Sequence, residues 1–157
     1  MPAKKGKGPK ATAADAEICL KLYELRREDV MRKARSYVLF QFNPTNEQEF
    51  SNVAMAFGTP EQTYCRMVWS YWEQAAALVN RGAVHGELFD DFGGELYFLY
   101  AKFRKYIPIL RREVNPHFLE HIEELANSSA ERKEKVARAT KTIQERLLAP
   151  PKKAVAS

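Results

Sequence analysis

The segment TPEQTYCRMVWSYWEQAAALVNRG, residues 59–82, decides the class of fold. Its apolar residues recur at spacings of three and four, which is the period of one helix face. Thr59 opens a capping box, Pro60 suits the first helical position, and Gly82 suits the turn beyond the end. The apolar stripe comprises Tyr64, Met67, Val68, Tyr71, Ala75, Leu78 and Val79. We therefore predict a long helix that runs from Pro60 towards Gly82.

The two tryptophans of this segment bear on where the helix lies. Trp72 falls near the apolar stripe, whereas Trp69 falls well round from it. A helix buried on several sides accounts for both rings. An exposed Trp69 that anchors a partner is the alternative. We favour a central helix with both rings in the core.

Similar patterns on either side predict further helices. They are expected over Ala13 to about Arg27, from Asp29 to about residue 42, from a capping box at Thr45 to Gly58, over Glu87–Asp90, from about Leu96 to Ile107, from Pro116 to about Asn127, and after Ser129. No stretch shows the alternation of a strand. We predict an all-α protein, an irregular bundle of five to seven helices. One domain, residues 13–148, is expected between disordered basic tails at 1–12 and 149–157.

The positive charge of the chain is concentrated at its ends. The formal net charge is +5 and the pI is about 9.2. Six lysines lie in the first ten and last six residues, and the body between Ala11 and Pro151 carries 19 basic and 20 acidic residues. This layout weakens a nucleic-acid function. The sequence contains no secretory signal and no apolar run long enough for a membrane span, so we expect a cytoplasmic protein with no membrane partner.

The stretch HFLEH, residues 117–121, spells an inverted zinc-peptidase motif. On a helix, His117 and His121 would project from one side, with Glu120 close by. Catalysis would require a third ligand and an open coordination position, which the sequence does not indicate. We interpret the histidines as surface or structural residues and keep a zinc-dependent hydrolase as a remote alternative.

The stretch HGELFDD presents a second group of polar residues, His85, Glu87, Asp90 and Asp91, followed by Glu95. Carboxylates near a histidine can bind a metal or act as an acid–base pair. They are also typical of helix starts, where they cap backbone N–H groups and favour the positive end of the dipole. Capping is our interpretation, with a ligand surface or a metal site as alternatives.

A basic stretch follows an acidic middle segment. Between residues 101 and 112 the charged residues are all cationic: Lys102, Arg104, Lys105, Arg111 and Arg112. Phe103 and Tyr106 interleave them, as in sequences that bind phosphates and stack bases. The same pattern is typical of a helix with inward rings and solvated cations. Self-association through acidic and basic surfaces is a further alternative.

Three blocks of the sequence resemble a family of short helical bacterial proteins known only as a domain of unknown function. They are LYELRREDVMRKARSYVLFQFNP (22–44), SYWEQAAALVNRGAVHGELFDDFGGELYF (70–98) and KFRKYIPILRREVNPHFLEHIEEL (102–125). The resemblance implies an all-helical fold and no particular chemistry, and the chain looks like the soluble variant of the family. Relatives carry acidic residues where this chain has His85 and Gly86, which makes a metal site there less expected.

Together these patterns indicate a non-enzymatic helical module for protein–protein interaction or scaffolding. The partner is expected to be an unidentified protein or a second copy of the chain. Association with nucleic acid through the lysine tail and residues 102–112 is the alternative. No cofactor is expected.

Overall fold

The computed structural model describes residues 8–149, and every regular element in that range is helical. The α-helices are α1 (Ala13–Arg26), α2 (Asp29–Ser36), α3 (Glu47–Ala54), α4 (Pro60–Asn80), α5 (Gly86–Phe92), α6 (Gly94–Phe103), α7 (Ile107–Glu113), α8 (Glu120–Ala126) and α9 (Ala130–Arg146). A π turn (Tyr37–Gln41) continues α2, and a 3-10 turn (Arg104–Tyr106) joins α6 to α7. The predicted all-α class is confirmed.

The predicted number of five to seven helices is too low, because long apolar patterns are interrupted at specific residues. Glu28 separates α1 from α2, since its carboxylate accepts the N–H groups of Val30 and Met31 and so starts a new helix. The pattern that begins at Gly94 is divided before Pro108, which occupies the first turn of α7. Proline has no backbone N–H to donate. It is tolerated in the first turn of a helix, where N–H groups lack intrahelical acceptors, but not further along.

The capping box predicted at Thr45 is displaced by one residue. The side chain of Asn46 accepts the N–H of Glu49 at 2.9 Å, and the Glu49 carboxylate accepts the N–H of Thr45 at 2.8 Å. Asn is as good an N-cap as Thr or better, which explains why the later residue takes the position. The helix that follows ends at Ala54 and not at Gly58.

Helix α4 lies at the centre of the described bundle, as predicted, and packs against α2, α3 and α8. Trp69 and Trp72 are 2% and 1% exposed, so both rings are in the core. An aromatic cluster surrounds Trp69 and consists of Phe42, Phe50, Phe103, Tyr106 and Phe118. These rings supply much of the apolar area that holds the short helices together.

The last helix docks on one side only. Helix α9 packs mainly against α6, with Val136 and Ile143 buried at 4% exposure each. The side chain of Ser129 accepts the N–H of Arg132 and caps the start of α9, as predicted. Most of its other side chains are charged or polar and exposed.

Residues 1–7 and 150–157 lie outside the described residues, and so does most of the predicted disorder at the two ends. Residues 8–12 have no regular secondary structure. Thr12 caps α1 by accepting the N–H of Asp15 at 3.3 Å, and the carboxylate of Asp15 accepts the N–H of Thr12 at 2.7 Å. The limits of the domain stay a prediction.

Candidate functional site

The predicted helix through HFLEH is wrong in its start. Helix α8 begins at Glu120, and His117 lies in the turn before it. The cause is Leu119, which has a left-handed backbone with φ of 56° and so breaks any helix between Pro116 and His121. Because His117 and His121 do not share a helix, the spacing that would make their imidazoles converge on zinc is lost.

The two histidines have separate surroundings. The Nδ1 atom of His117 donates to the carboxylate of Glu120 at 2.8 Å, on an exposed surface. The backbone of His121 is held from α4: its N–H donates to Glu73 at 2.9 Å, and its carbonyl accepts from Asn80 at 3.0 Å. Glu73 also accepts the N–H of Ile122 at 2.9 Å. The start of α8 is thus capped by a carboxylate from another helix, which the sequence could not indicate.

A shallow cleft of about 190 Å³ lies beside this turn. It is lined by Arg66, Ser70, Glu73, Asn115, His117, Phe118 and Leu119. The hydroxyl of Ser70 donates to the carbonyl of Met67 at 3.3 Å, and Glu73 is engaged by the two N–H groups of α8. Glu73 therefore joins α4 to α8, whereas the bond of Ser70 lies within α4.

His85 acts as the N-cap of α5, in agreement with the capping interpretation. Its Nδ1 atom accepts the N–H of Leu88 at 3.1 Å, and its Nε2 atom donates to the carbonyl of Pro9 at 2.7 Å. The two bonds together require the neutral tautomer with the proton on Nε2. The N–H of His85 donates to Asp15 at 2.9 Å, and hydrogen bonds to Thr12 and His85 hold the pKa of Asp15 below its usual value.

Of the carboxylates that follow His85, Glu87 and Asp91 are exposed, and Asp90 is held by side chains of α6 and α9. Asp90 accepts from the hydroxyl of Tyr97 and, at 3.1 Å, from Nε of Arg132 on α9. Burial raises the pKa of Tyr97, and its bond to Asp90 adds to the shift. Over residues 8–149, no three His, Cys, Asp or Glu side chains are grouped as ligands for a metal ion.

Glu95 accepts more hydrogen bonds than the other carboxylates of this group. It accepts from Nε of Arg35 at 2.9 and 3.0 Å, from a terminal nitrogen of Arg35 at 2.5 Å, and from Nε1 of Trp72 at 3.0 Å. The bond to Glu95 raises the pKa of Arg35. This ion pair joins α2, α4 and α6.

Lys102, expected on a cationic surface, is buried at 7% exposure. Its ammonium donates to the carbonyls of Val38 and Leu39 at 2.8 and 2.9 Å. Both carbonyls belong to the π turn, at the C-terminal end of the helical run where backbone acceptors lack intrahelical partners. Burial lowers the pKa of Lys102 to about 7, because the charged form loses its hydration.

The stability of the protein is expected to rise with pH because of Lys102. Between pH 7.0 and 8.5 the unfolded lysine keeps its proton, since its ordinary pKa is 10.5, whereas the folded lysine with a pKa of about 7 loses it. The unfolded state therefore binds more protons, and the free energy of unfolding should increase by about 1.5 kcal/mol. Urea unfolding at the two pH values measures this. The range from pH 7.0 to 8.5 stays below 9.0, the ordinary pKa of the Cys19 and Cys65 thiols. This limits the contribution of these two thiols, which are also buried.

The control for this prediction is an exposed lysine from the same stretch. The rise should vanish in Lys102→Met and persist in Lys105→Met, because Lys105 is exposed. An equal rise in both variants would show that another group titrates.

The other four cations of the basic stretch divide into two pairs. Arg111 donates to the carbonyl of Phe118 at 3.0 Å and to Glu123 at 3.2 Å, and Arg112 pairs with Glu113 at 2.8 Å. Arg104 and Lys105 are exposed and, with Lys102, line a cleft between the 3-10 turn and α9. The five predicted cations therefore do not all face solvent, because Lys102 is buried.

The outer side of the π turn carries an aromatic side chain that the sequence analysis missed. Phe40 is 60% exposed, and its ring centroid lies 6.3 Å from that of half-buried Phe98 on α6. Val38 and Leu39 point into the core from the same turn. We call Phe40 and Phe98 the aromatic surface. The sequence did indicate its exposure, since Phe40 does not belong to the apolar stripe at the end of the α2 pattern.

The fold and these contacts define an all-α domain with an aromatic core and buried polar groups that join its helices. The family model described as Domain of unknown function (DUF4760) matches residues 11–129, and the chain belongs to this family. The resemblance to a domain of unknown function is thereby confirmed. No curated protein and no solved structure matches the chain.

The described helices are too short or too polar to span a membrane. Among residues 8–149, no helix combines the length and the apolar character needed to cross a bilayer. Helix α4 is the longest at 21 residues, and it contains Glu61, Arg66 and Glu73.

Proposed function

We propose that the chain is a cytoplasmic, non-enzymatic interaction module that binds a protein partner through the aromatic surface. The observation that carries this proposal is the 60% exposure of Phe40 on a helical turn held from the inside by Lys102. An exposed aromatic ring on a rigid support loses little entropy on binding and is a frequent anchor of interfaces. π turns also occur often at functional positions in helices.

The surroundings of the candidate catalytic groups support a binding role. His85 and Asp90 cap or join helices, Glu95 is saturated by Arg35 and Trp72, and Glu73 caps α8. Each of these groups contributes to the stability of the bundle. The second copy of this chain is the first partner to test, because it is one of the two kinds of partner expected from the sequence.

We expect the protein to associate through Phe40. The mass from light scattering at two concentrations should exceed the 18.0 kDa of the monomer at the higher one, and Phe40→Ser should restore the monomer. Phe57→Ser is the matched control, because Phe57 is 62% exposed but lies in the turn between α3 and α4. At a concentration where the wild type is a monomer, both variants should keep its unfolding midpoint, because association itself stabilises the folded state.

If the wild type is a monomer at both concentrations, the same three proteins serve as baits in a bacterial lysate. A protein captured by the wild type and by Phe57→Ser, but not by Phe40→Ser, supports the module. A monomer that captures nothing in a Phe40-dependent way contradicts the proposal.

A further inference from the structure

The cleft between the 3-10 turn and the end of α9 concentrates hydrogen-bond donors. It has a volume of about 250 Å³ and is lined by Ala101, Lys102, Arg104, Lys105, Thr140, Ile143, Gln144 and Leu148. Three of these side chains are cationic and one is an amide. No carboxylate lines the cleft among the described residues. A site of this composition attracts anions.

Lys102 lines the cleft and is the buried cation among its lining residues. An ammonium has three N–H donors, and within residues 8–149 its acceptors are the carbonyls of Val38 and Leu39. Both acceptors are neutral, and no described carboxylate forms an ion pair with Lys102. A buried charge without a counter-charge costs free energy, and a second ion that supplies it is bound more tightly for that reason.

We propose that this cleft binds a compact dianion, a phosphate or sulfate group, held by Lys102, Arg104 and Lys105. Two exposed cations attract the dianion, and the third N–H of the buried amine supplies a donor away from bulk water. Gln144 adds an amide donor at the rim. The cleft does not include Phe40 or Phe98, so Arg104→Gln and Lys105→Gln test it apart from the proposed interaction, whereas Lys102 also holds the π turn that carries Phe40.

The size of the cleft favours a small ligand. Pockets for drug-sized molecules have volumes of about 300–1,000 Å³, and this cleft falls below that range. Ala101, Ile143 and Leu148 form apolar parts of the lining, which suit the small organic body of a phosphate or sulfate ester. A free dianion and a small ester share the same charged group.

Binding of the dianion should be coupled to a proton. The pKa of Lys102 is lowered to about 7 by burial, and a dianion beside it stabilises the ammonium, so a proton is taken up on binding near neutral pH. The ionisable group that acts on the amine is Cys65 in the core, and Arg104 and Lys105 line the same cleft. The Cys65 thiol has a pKa raised to about 12 by burial, so it stays neutral in this range.

Sulfate is the probe of choice, because it does not titrate near neutral pH. Isothermal titration of the full chain at low ionic strength should give saturable binding that is about 20-fold weaker at pH 8.5 than at pH 6.5, in proportion to the protonated fraction of Lys102. Titrations at pH 7.5 in two buffers of different ionisation enthalpy should report proton uptake. Phenyl phosphate in place of sulfate shows whether an ester is preferred to the free ion.

The variants separate this cleft from general charge attraction. Arg104→Gln and Lys105→Gln should each weaken sulfate binding at least threefold, while Arg112→Gln, outside the cleft, should leave it unchanged. Lys102→Met should remove the proton uptake. If that variant fails to fold, the pH dependence of the wild type and the Arg104→Gln result carry the test.

Three results would overturn the proposal. The first is the absence of saturable sulfate binding at pH 6.5. The second is equal weakening by Arg104→Gln and Arg112→Gln. The third is binding of a single-stranded oligonucleotide that Arg104→Gln, Arg111→Gln and Arg112→Gln weaken alike, which would assign the cations to an extended nucleic-acid surface.

Discussion

Replacing Glu95 by alanine is expected to destabilise the protein by about 2–4 kcal/mol, because it leaves the half-buried guanidinium of Arg35 without its counter-charge and Trp72 without its acceptor. The side chains of Glu95 and Arg35 are 11% and 26% exposed, so water replaces the lost partner poorly. Nε1 of Trp72 also loses its acceptor, and this ring is 1% exposed. Urea unfolding followed by tryptophan fluorescence and by circular dichroism measures the loss.

Two further variants show whether the loss of stability comes from the unpaired charge of Arg35 or from the volume that the Glu95 side chain leaves empty. The double variant Arg35→Met with Glu95→Met should recover much of the lost stability, because an apolar pair needs no counter-charge. Glu113→Ala removes the exposed partner of Arg112 and should leave the unfolding midpoint unchanged. A small effect of Glu95→Ala would mean that Arg35 reaches solvent and that α2, α4 and α6 are joined by apolar packing alone.

This ion pair marks a limit of what the sequence can reveal. Arg35 and Glu95 lie 60 residues apart, and each occupies a position that looks solvent-exposed in its own helix pattern. Periodicity identified α1, α4 and α9 closely, because each has a local stripe and a local cap. A contact between helices depends on their relative placement, which local patterns do not encode.

Lys102 and His117 also show that local patterns miss contacts between distant parts of the chain. A lysine in a basic stretch is expected in water, yet the π turn 63 and 64 residues earlier presents two carbonyls that hold it inside. Asn115–Pro116 is a good helix start by local rules, yet α8 begins four residues later. Glu73 of α4 provides the cap there by accepting the N–H of His121. Leu119, just before α8, takes the left-handed backbone conformation.

The capping role of His85 was accessible from sequence, because all the needed signals are local. The residue precedes a short apolar run, and carboxylates follow in the first turns, as at many helix starts. The structure adds its tautomer, which depends on Pro9, and that contact bridges 76 residues. Phe40 was accessible in part, as an aromatic residue off the stripe, but its proximity to Phe98 was not.

Replacing Phe50 by alanine is expected to cost about 3–5 kcal/mol, the usual loss for a fully buried phenylalanine. Phe50 is 0% exposed, stacks on Tyr106 with ring centroids 4.4 Å apart, and contacts Trp69 at 5.9 Å. Helix α3 has eight residues and cannot be stable by itself, so its docking depends on this ring. Since whole domains are stable by about 5–15 kcal/mol, the loss should shift the urea midpoint strongly.

Amide hydrogen exchange locates the effect of Phe50→Ala. The amides of α3 should lose protection first, because the ring that holds the helix against α4 and the 3-10 turn is gone, whereas α9 should keep its protection until global unfolding. Phe57→Ala is the matched control from the same region, and its exposed ring should make it nearly neutral. Phe50→Leu should lose less than Phe50→Ala, because it fills most of the space. Equal effects of Phe50→Ala and Phe57→Ala would show that the aromatic cluster around Trp69 is not the interior that holds these short helices together.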